Sequence, residues 1–381
     1  MSTVKSLSCV LSYELKQHTP IIHFQHNQSG ATLRATEVKP KLDKFIIKKL
    51  GGVEKINKSW FTGDTEALNY KMQISTIGEQ EFVKLGLKTP YDIYYGNMGD
   101  ATLKKKGVIC DSKLTIVCLN NELRNYIDKY IAEFFVITNF GTMQNKGFGS
   151  YTVKGKTLRP RDISNYLKQN YGAKKCYCFS GGNSPFSAIK TIYGMMKSGV
   201  NFGGYQRSYL FLYMHQKYKI GNEKAQLKKK HIAPAIGKNK DKADSNRENH
   251  APHYVRALLG VCDHIEFIND TENENNRKDK TTVNISNSDN KNIERLNSPI
   301  FFKVIDGQVY FVADRINEEI YGAKFEFKSP KGKIELEVPE REILGETFID
   351  DFLEYSVKGI NSIEKKDSKF KTIKEVVIKE V

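Results

Sequence analysis

The sequence TNFGTMQNKGFGSY, residues 138–151, lies between an amphipathic segment at 121–136 and a short apolar run at 151–153. The first segment has the period of a helix, and the second has the composition of a strand. Because glycine lacks a Cβ, the loop can adopt positive φ and turn its N–H groups toward an anion. A plain tight turn is the alternative interpretation. The glycines concerned are Gly141, Gly147 and Gly149.

The residues between these glycines form a candidate phosphate-binding set. We expect Lys146 to contact a phosphate, with Gly147 and Gly149 supplying backbone donors. Gly141 and Asn145 complete the set within the loop. Phe148 has two interpretations, because its ring can stack on a base or fill the core.

The charge balance favours a polyanionic partner. The chain has 60 Lys and Arg against 44 Asp and Glu, which gives a formal net charge of +16. Neutralised phosphates release counterions, so a clustered basic surface favours nucleic acid whatever its base sequence. An anionic membrane is the weaker alternative, since no run approaches the ~20 apolar residues of a spanning helix.

Further candidate cations lie well before and directly after the glycine-rich loop in the sequence. Arg34 lies early in a predicted helix at 31–50, where the helix end and a guanidinium can share one phosphate, and Lys39 follows on the same helix. Lys154, Arg159 and Arg161 extend the positive run past the strand at 151–153. Exposed, solvated cations are the alternative for each of them.

Histidines and cysteines invite a metal or acid–base interpretation that the spacing does not support. His18, His23 and His26 crowd one segment, but no Cys, Asp or Glu lies between His23 and His26 to complete a ligand set. Six cysteines are too few and too scattered for a disulfide framework, which favours reduced thiols and a cytoplasmic protein. We therefore expect no metal and no cofactor.

Two successive batches of strands and helices predict an α+β protein with two domains. Each is expected to be an antiparallel sheet with helices on one face, leaving the other face free for a ligand. The predicted domains are 1–174 and 175–360, followed by a charged tail at 361–381. Two polar segments, 217–247 and 269–292, are interpreted as mobile insertions, the first of them long and basic.

The remaining element predictions concern both halves of the chain. Residues 20–25 are expected to form the first strand, and Pro40 is expected to kink or split the helix at 31–50. In the second half, the sequence predicts a helix at 184–197 and a final helix at 340–357. Predicted strands there lie at 176–179, 299–305, 308–313, 323–327 and 333–338.

Three segments in this order resemble the RAMP superfamily of CRISPR-associated proteins. They are 20–39 with its Gly30-Ala31-Thr32-Leu33-Arg34 motif, the glycine-rich loop, and the Ser-Pro strand SPIFFKV at 298–304. More narrowly, they resemble the RAMP subunit with two ferredoxin-like (RRM-like) domains at one end of type III effector complexes. That resemblance implies two ferredoxin-like domains and binding to the far end of a guide RNA.

Two departures from the superfamily patterns argue against catalysis. Target-cutting members carry an aspartate in the loop after the first strand, whereas residues 26–30 contain no carboxylate. Guide-processing members place their glycine-rich loop near the C-terminus, whereas this loop falls before the middle of the chain. The resemblance therefore implies a non-catalytic subunit in antiviral defence, with CRISPR RNA, target RNA and other RAMP subunits as partners and no membrane.

Two alternatives stay open at this point. The first is a metal-independent endoribonuclease that processes CRISPR RNA, with His23 or His26 as acid or base and Lys146 stabilising phosphate charge. The second is a structural subunit whose positive charge meets acidic protein neighbours. The basic run at 228–231 adds a further hypothesis, an arm that lies across RNA, against a solubilising insertion.

Overall fold

The structure is a computed structural model, and it describes residues 9–23, 31–63, 65–86, 89–91, 106–182, 184–201, 205–232, 250–272, 278–289, 293, 295–363, 373 and 376–381. The strands are β1 (Val10–Gln17), β2 (Lys71–Lys84), β3 (Lys106–Val117), β4 (Tyr151–Val153), β5 (Cys176–Ser180), β6 (Val200–Asn201), β7 (Tyr205–Gln206), β8 (Gly221–Asn222), β9 (Pro252–His253), β10 (His264–Glu272), β11 (Lys278–Asn287), β12 (Ile300–Ile305), β13 (Gln308–Ala313), β14 (Lys324–Ser329), β15 (Gly332–Glu337) and β16 (Lys379–Glu380). The helices are α1 (Ala35–Lys49), α2 (Asn121–Ile137), α3 (Pro160–Tyr171), α4 (Pro185–Lys197), α5 (Tyr209–Tyr213), α6 (Glu223–His231), α7 (Arg341–Leu344) and α8 (Phe348–Ser362).

The first sheet has the order β2-β3-β1-β4, and each neighbouring pair is antiparallel. Along the chain its elements run strand, helix, strand, strand, helix, strand, from β1 through α1 and α2 to β4. This connection pattern defines the ferredoxin-like arrangement. The first half of the chain therefore has the predicted α+β topology.

The second sheet repeats that strand order as β12-β13-β5-β16. Its strands and the intervening helices α4 and α8 again follow the chain order strand, helix, strand, strand, helix, strand. Long segments of chain separate the elements of this second sheet. Strands within those segments form a third sheet with the order β10-β11-β14-β15. The same topology thus occurs twice, although the two halves of the chain show no obvious sequence repeat.

The chain folds into two compact units. Unit 1 contains residues 1–190, 301–312 and 376–381, and unit 2 contains residues 191–300 and 313–375. In unit 1, side chains of the second sheet such as Phe301 and Val312 belong to the same hydrophobic core as the first sheet and its helices. The domain boundary at 174/175 that the sequence suggested, just before β5, stays a prediction.

Helix α1 shows why the expected split at Pro40 is wrong, whereas the kink expected as its alternative stays a prediction. Val38, Leu42 and Phe45 are buried at helical spacing and hold one face of the helix in the core. Pro40 lies inside the helix but is exposed, as is Thr36, whose carbonyl loses its usual N–H partner. Because water can satisfy that carbonyl, the helix continues through the proline.

Three other expectations are corrected by the strand pairing. The first strand is β1 rather than 20–25, where Ile21 forms an isolated bridge to Val108 and residues 24–30 lie outside the described part. Strand β11 occupies much of the segment 269–292 that was interpreted as mobile. The end of the supposed tail forms β16, which pairs with β5. None of the described helices is long and apolar enough to cross a bilayer.

Candidate nucleic-acid interface

The glycine-rich loop is shaped by close backbone approach. Gly141, Gly147 and Gly149 have φ values of 75°, 86° and 64°, a region that residues with a Cβ rarely adopt. A Cβ on Gly149 would lie 1.9 Å from the carbonyl oxygen of Phe140, and one on Gly141 would lie 2.6 Å from that of Ile22. The loop therefore requires glycine for its own fold, whatever it binds.

The N–H groups of these glycines donate within the protein. Gly141 donates to Oε1 of Glu37 at 2.8 Å, Gly147 to the carbonyl of Gln144 at 3.1 Å, and Gly149 to that of Pro20 at 2.9 Å. An N–H group that already has an internal acceptor is not available to a phosphate oxygen. This geometry corrects the expectation that Gly147 and Gly149 supply donors to a ligand.

The residues between the glycines face the protein as much as solvent. Phe148 is fully buried, and its ring stacks on Phe186 with centroids 4.1 Å apart. Of its two interpretations, the structure thus shows the ring that fills the core. The carbonyl of Asn145 accepts from the N–H of Phe302 at 3.1 Å. The Nζ of Lys146 is buried, 5.8 Å from the Phe302 ring centroid, so it does not reach solvent in this structure. The loop is thus built into unit 1 at most of its positions.

A lysine that sequence reasoning did not identify lies beneath this loop. Lys303 of β12 is fully buried, and its Nζ donates to the carbonyls of Phe135 (2.7 Å), Thr138 (2.9 Å) and Tyr151 (3.2 Å) and to Oδ1 of Asn139 (3.2 Å). Burial lowers the pKa of Lys303 well below its usual value. One signal was present, a single cation within the continuous apolar run of β12.

The N-terminus of α1 lies beside the glycine-rich loop. Glu37 in its first turn accepts the Gly141 N–H, and Lys41 one turn later donates to Glu37 (3.0 Å) and to Oε1 of Gln144 (3.0 Å). Arg34 is the residue that precedes the first helical turn, and its side chain is partly exposed. The structure therefore places the first turn of α1 beside the loop through Glu37 and Lys41, and a phosphate contact by Arg34 stays a prediction.

Lys39 belongs to a different environment on the same helix. Its Nζ donates to Oδ2 of Asp43 at 2.7 Å and to the carbonyl of Leu68 at 2.9 Å. It also lies 4.3 Å from the ring centroid of Tyr70. This lysine ties α1 to the segment before β2, away from the loop contacts of Glu37 and Lys41.

The connection between β4 and α3 carries the third group of predicted cations. Lys154 is paired with Asp111 at 3.1 Å, and Arg159 forms a bidentate pair with Asp162 at 2.9 and 3.0 Å. Arg161 is exposed, as is Lys156 nearby. The group is solvent-facing and basic, but two of its three predicted members have a carboxylate partner.

The histidines of this region are held by the fold. The side chain of His18 is 2% exposed, its Nε2 lies 2.7 Å from Oγ1 of Thr152, and the N–H of Asp306 donates to its Nδ1 at 3.2 Å. Burial, together with the nearby charge of Lys303, lowers the pKa of His18 to about 4.

His23 is half-buried and its Nε2 lies 3.2 Å from the carbonyl of Thr32, whereas His26 falls outside the described residues. Burial lowers the pKa of His23 as well. No group of three or more His, Cys, Asp or Glu side chains in the described ranges is placed to hold a metal ion.

The outer face of the first sheet is mostly polar, apart from the exposed pair Val10 and Val117. Ser12 of β1 is in register with Thr115 of β3, which is in register with Gln73 of β2, and Glu14 is likewise opposite Lys113. RNA-binding sheets of this topology stack bases on aromatic side chains of the central strands. These rows carry none, so stacking of that kind is not available on them.

Several solved structures are similar to this chain at low sequence identity. The crystal structure of apo Cmr1 from Pyrococcus furiosus is 9% identical with a TM-score of 0.41, covering 92% of this chain and 96% of that one. A chain of the Type III-B Cmr-beta complex bound to cognate target RNA is 12% identical with a TM-score of 0.27, over 38% of this chain and 58% of that one. A chain of the same complex with target RNA, AMPPnP and single-stranded DNA present is 10% identical with a TM-score of 0.36, covering 92% and 99%.

No curated protein matches the sequence. The family comparison, in contrast, accounts for nearly the whole chain. The Cmr1 N-terminal domain matches residues 8–200, and the Cmr1 C-terminal domain matches residues 205–379. These matches confirm the resemblance to the two-domain RAMP subunit of type III CRISPR effector complexes, and they show that this chain belongs to the Cmr1 family.

Proposed function

We propose that this chain is the RNA-binding, non-catalytic subunit of a type III CRISPR effector complex, acting in the cytoplasm in antiviral defence. Its ligand is the backbone of the guide RNA, with target RNA and other RAMP subunits as further partners. Family membership and the net charge of +16 support this proposal. One of the similar solved structures is described as bound to cognate target RNA, which is the same class of partner.

The observation that carries the proposal is the position of Arg34. It precedes the first turn of α1, where the aligned peptide dipoles give the helix a positive end. The Glu37–Gly141 hydrogen bond and the contacts of Lys41 fix this helix end against the glycine-rich loop. The loop thus contributes rigidity, and Arg34 contributes the guanidinium that can bind a phosphate through two hydrogen bonds.

The exposed cations after β4 are a further group that can contact an RNA backbone. Lys156 and Arg161 are exposed, and Lys154 and Arg159 add charge that their carboxylate partners partly neutralise. Lys146 adds positive potential only, because its Nζ is buried. Long-range attraction by such groups raises the association rate of a polyanion and weakens with salt.

The geometry of the histidines supports a subunit without catalytic activity. RNA cleavage by acid–base catalysis needs groups within hydrogen-bonding reach of the 2′-hydroxyl and the leaving oxygen. His18 is enclosed between Thr152 and Asp306, and the ring of His23 contacts a backbone carbonyl. The His18 ring is enclosed, and the half-buried His23 ring already has Nε2 in contact with a carbonyl.

The binding role is tested by fluorescence anisotropy with labelled single-stranded RNA. Arg34→Ala should weaken binding about fivefold to tenfold, the loss expected for one charge-assisted phosphate contact. Lys44→Ala is the matched control, because Lys44 is an exposed cation on the same helix about 15 Å further along its axis. Equal affinities for the wild type and Arg34→Ala would contradict the assigned role of Arg34.

The catalytic role is tested separately by incubating repeat RNA with the purified protein in EDTA. We expect the RNA to stay intact. Cleavage that is abolished by His23→Ala and retained in Lys44→Ala would instead establish the endoribonuclease alternative.

A further inference from the structure

A second basic surface lies in unit 2, where the C-terminal turn of α6 meets the turn between β14 and β15. His231 and Ser329 are both buried, and Nδ1 of His231 lies 2.7 Å from Oγ of Ser329. The N–H of Lys331 donates to the same Oγ at 3.2 Å. These contacts fix the β14–β15 turn against the last turn of α6.

Beside this turn lies a cleft of about 360 Å³. Its walls include Lys280, Thr281, Thr282 and Asn284 of β11 and Lys331 of the turn. None of the residues that line it is acidic, but Lys280 is paired with Glu266 on the neighbouring strand at 2.8 Å. Pro330 is its one wholly apolar member. The volume falls within the range of ligand-binding clefts, about 300–1,000 Å³.

Lysines from separate elements converge around the cleft. The side chain of Lys230 passes over the backbone of Gly332, where an added Cβ would lie 3.1 Å from Cε of Lys230. Burial, followed by the charges of Lys230 and Lys331, lowers the pKa of His231. Lys328 of β14 is in register with Asn284 of β11. Lys230 and Lys328 are exposed.

The donor set of the cleft indicates its ligand. Ammonium, hydroxyl and amide groups are those that contact phosphate and sugar in nucleic-acid complexes. A protein partner would need an apolar centre to its interface, and base stacking would need aromatic side chains, and the cleft walls offer neither. The chemistry therefore fits a nucleic-acid backbone, read without regard to base sequence.

We propose that the cleft between β11 and the β14–β15 turn, with Lys230 and Lys331 at its rim, binds the phosphate backbone of single-stranded RNA. This inference rests on the proposed function and assigns it a second, separate contact region. The lysine-rich C-terminus of α6, which the sequence left undecided between an RNA-binding arm and a solubilising insertion, contributes part of this region. Its lysines also complement the negative end of the α6 dipole.

The test measures binding of a labelled oligouridylate of about 20 nucleotides to the full-length chain. The double variant Lys230→Ala/Lys331→Ala should bind at least about tenfold more weakly at roughly 0.1 M salt. The slope of log affinity against log salt should fall in magnitude by about 1.4, the loss of two phosphate contacts on a single strand. The control Lys324→Ala/Lys358→Ala removes two exposed lysines of the same unit away from the cleft, and should change affinity less than about twofold.

The possible outcomes separate this inference from the proposed function. If the cleft variant binds like the wild type while Arg34→Ala binds more weakly, the second contact region is refuted and the proposed function stands. If the wild type does not bind the oligouridylate, both are refuted. If an oligoglutamate of matched charge binds the wild type as tightly as the RNA and loses affinity in the cleft variant, the ligand is an acidic peptide and the RNA assignment is overturned.

Discussion

Two lysines near the glycine-rich loop and two near the β14–β15 turn differ in environment, whereas Lys280 and Lys333 beside that turn are paired with Glu266 and Glu326. Lys303 and Lys41 of unit 1 direct their ammonium groups at carbonyl, carboxylate and amide oxygens of the protein. Lys230 of unit 2 is exposed, and Lys331 lines a cleft without acidic walls. Net charge counts all of them equally, although only cations that reach solvent can neutralise a phosphate. In the proposed function, the loop supplies a fixed framework and the exposed cations supply the binding surface.

The largest effect is expected from Gly149→Ala, which tests whether the loop is a rigid framework. An added Cβ meets the Phe140 carbonyl and forces alanine into positive φ, so the free energy of unfolding should fall by about 4 kcal/mol. Gly155→Ala is the control, because Gly155 also has positive φ but no atom lies within 4 Å of the added Cβ. It should lose about 1 kcal/mol. Urea denaturation that gives equal losses would refute the steric argument.

The next largest effect is expected from Lys303→Met, which tests whether the buried lysine is structural. Removing the ammonium leaves three carbonyls and the Asn139 side chain without this donor, at a cost of about 3 kcal/mol. Lys16→Met removes a lysine whose pair with Asp306 is largely exposed, and should cost less than about 1 kcal/mol. Similar denaturation midpoints for the two variants would show that burial does not separate the two kinds of lysine.

A smaller, pH-dependent effect is expected from His18, which joins β1 to the β12–β13 turn through Asp306. Because its pKa falls from 6.5 to about 4 on folding, the unfolded chain binds the proton more tightly, and acid favours unfolding between those values. The loss across this window is about 3 kcal/mol at its limit and smaller at pH 5. Lys16, Lys303 and Asp306 are the charged groups that surround the ring.

The measurement compares urea denaturation of the wild type and His18→Gln from pH 7 to pH 4. Stability of the wild type should fall more steeply as the pH drops, whereas His253→Gln, at a partly exposed histidine of unit 2, should follow the wild type. Parallel curves for the wild type and His18→Gln would show that His18 is not held neutral by the fold.

Local pattern was enough to predict much of the fold. The helix at 121–136 and the strand at 151–153 match α2 and β4 within one residue, because periodicity and flanking turn residues act locally. The α+β class and its two batches of elements are likewise confirmed. The strand β1 was missed, although the alternation that buries Tyr13, Leu15 and Gln17 marks it.

The candidate site was harder to predict from the sequence because its contacts join residues that are far apart along the chain. Gly141 is bonded to Glu37, 104 positions away, and Lys303 reaches carbonyls more than 150 positions away. No local pattern shows that a glycine N–H already has an acceptor or that a lysine is buried. The resemblance pointed to the helix start and the loop together, and the hydrogen bond of Glu37 to Gly141 joins them, whereas the cleft beside the β14–β15 turn required the fold.

The most direct test of the central claim is the affinity of the full-length chain for single-stranded RNA across a series of salt concentrations. If exposed cations grip the phosphate backbone, log affinity should fall linearly with log salt, with a slope near −0.7 for each phosphate contacted and about −3 or steeper in total. An affinity that stays constant across the series would contradict the account.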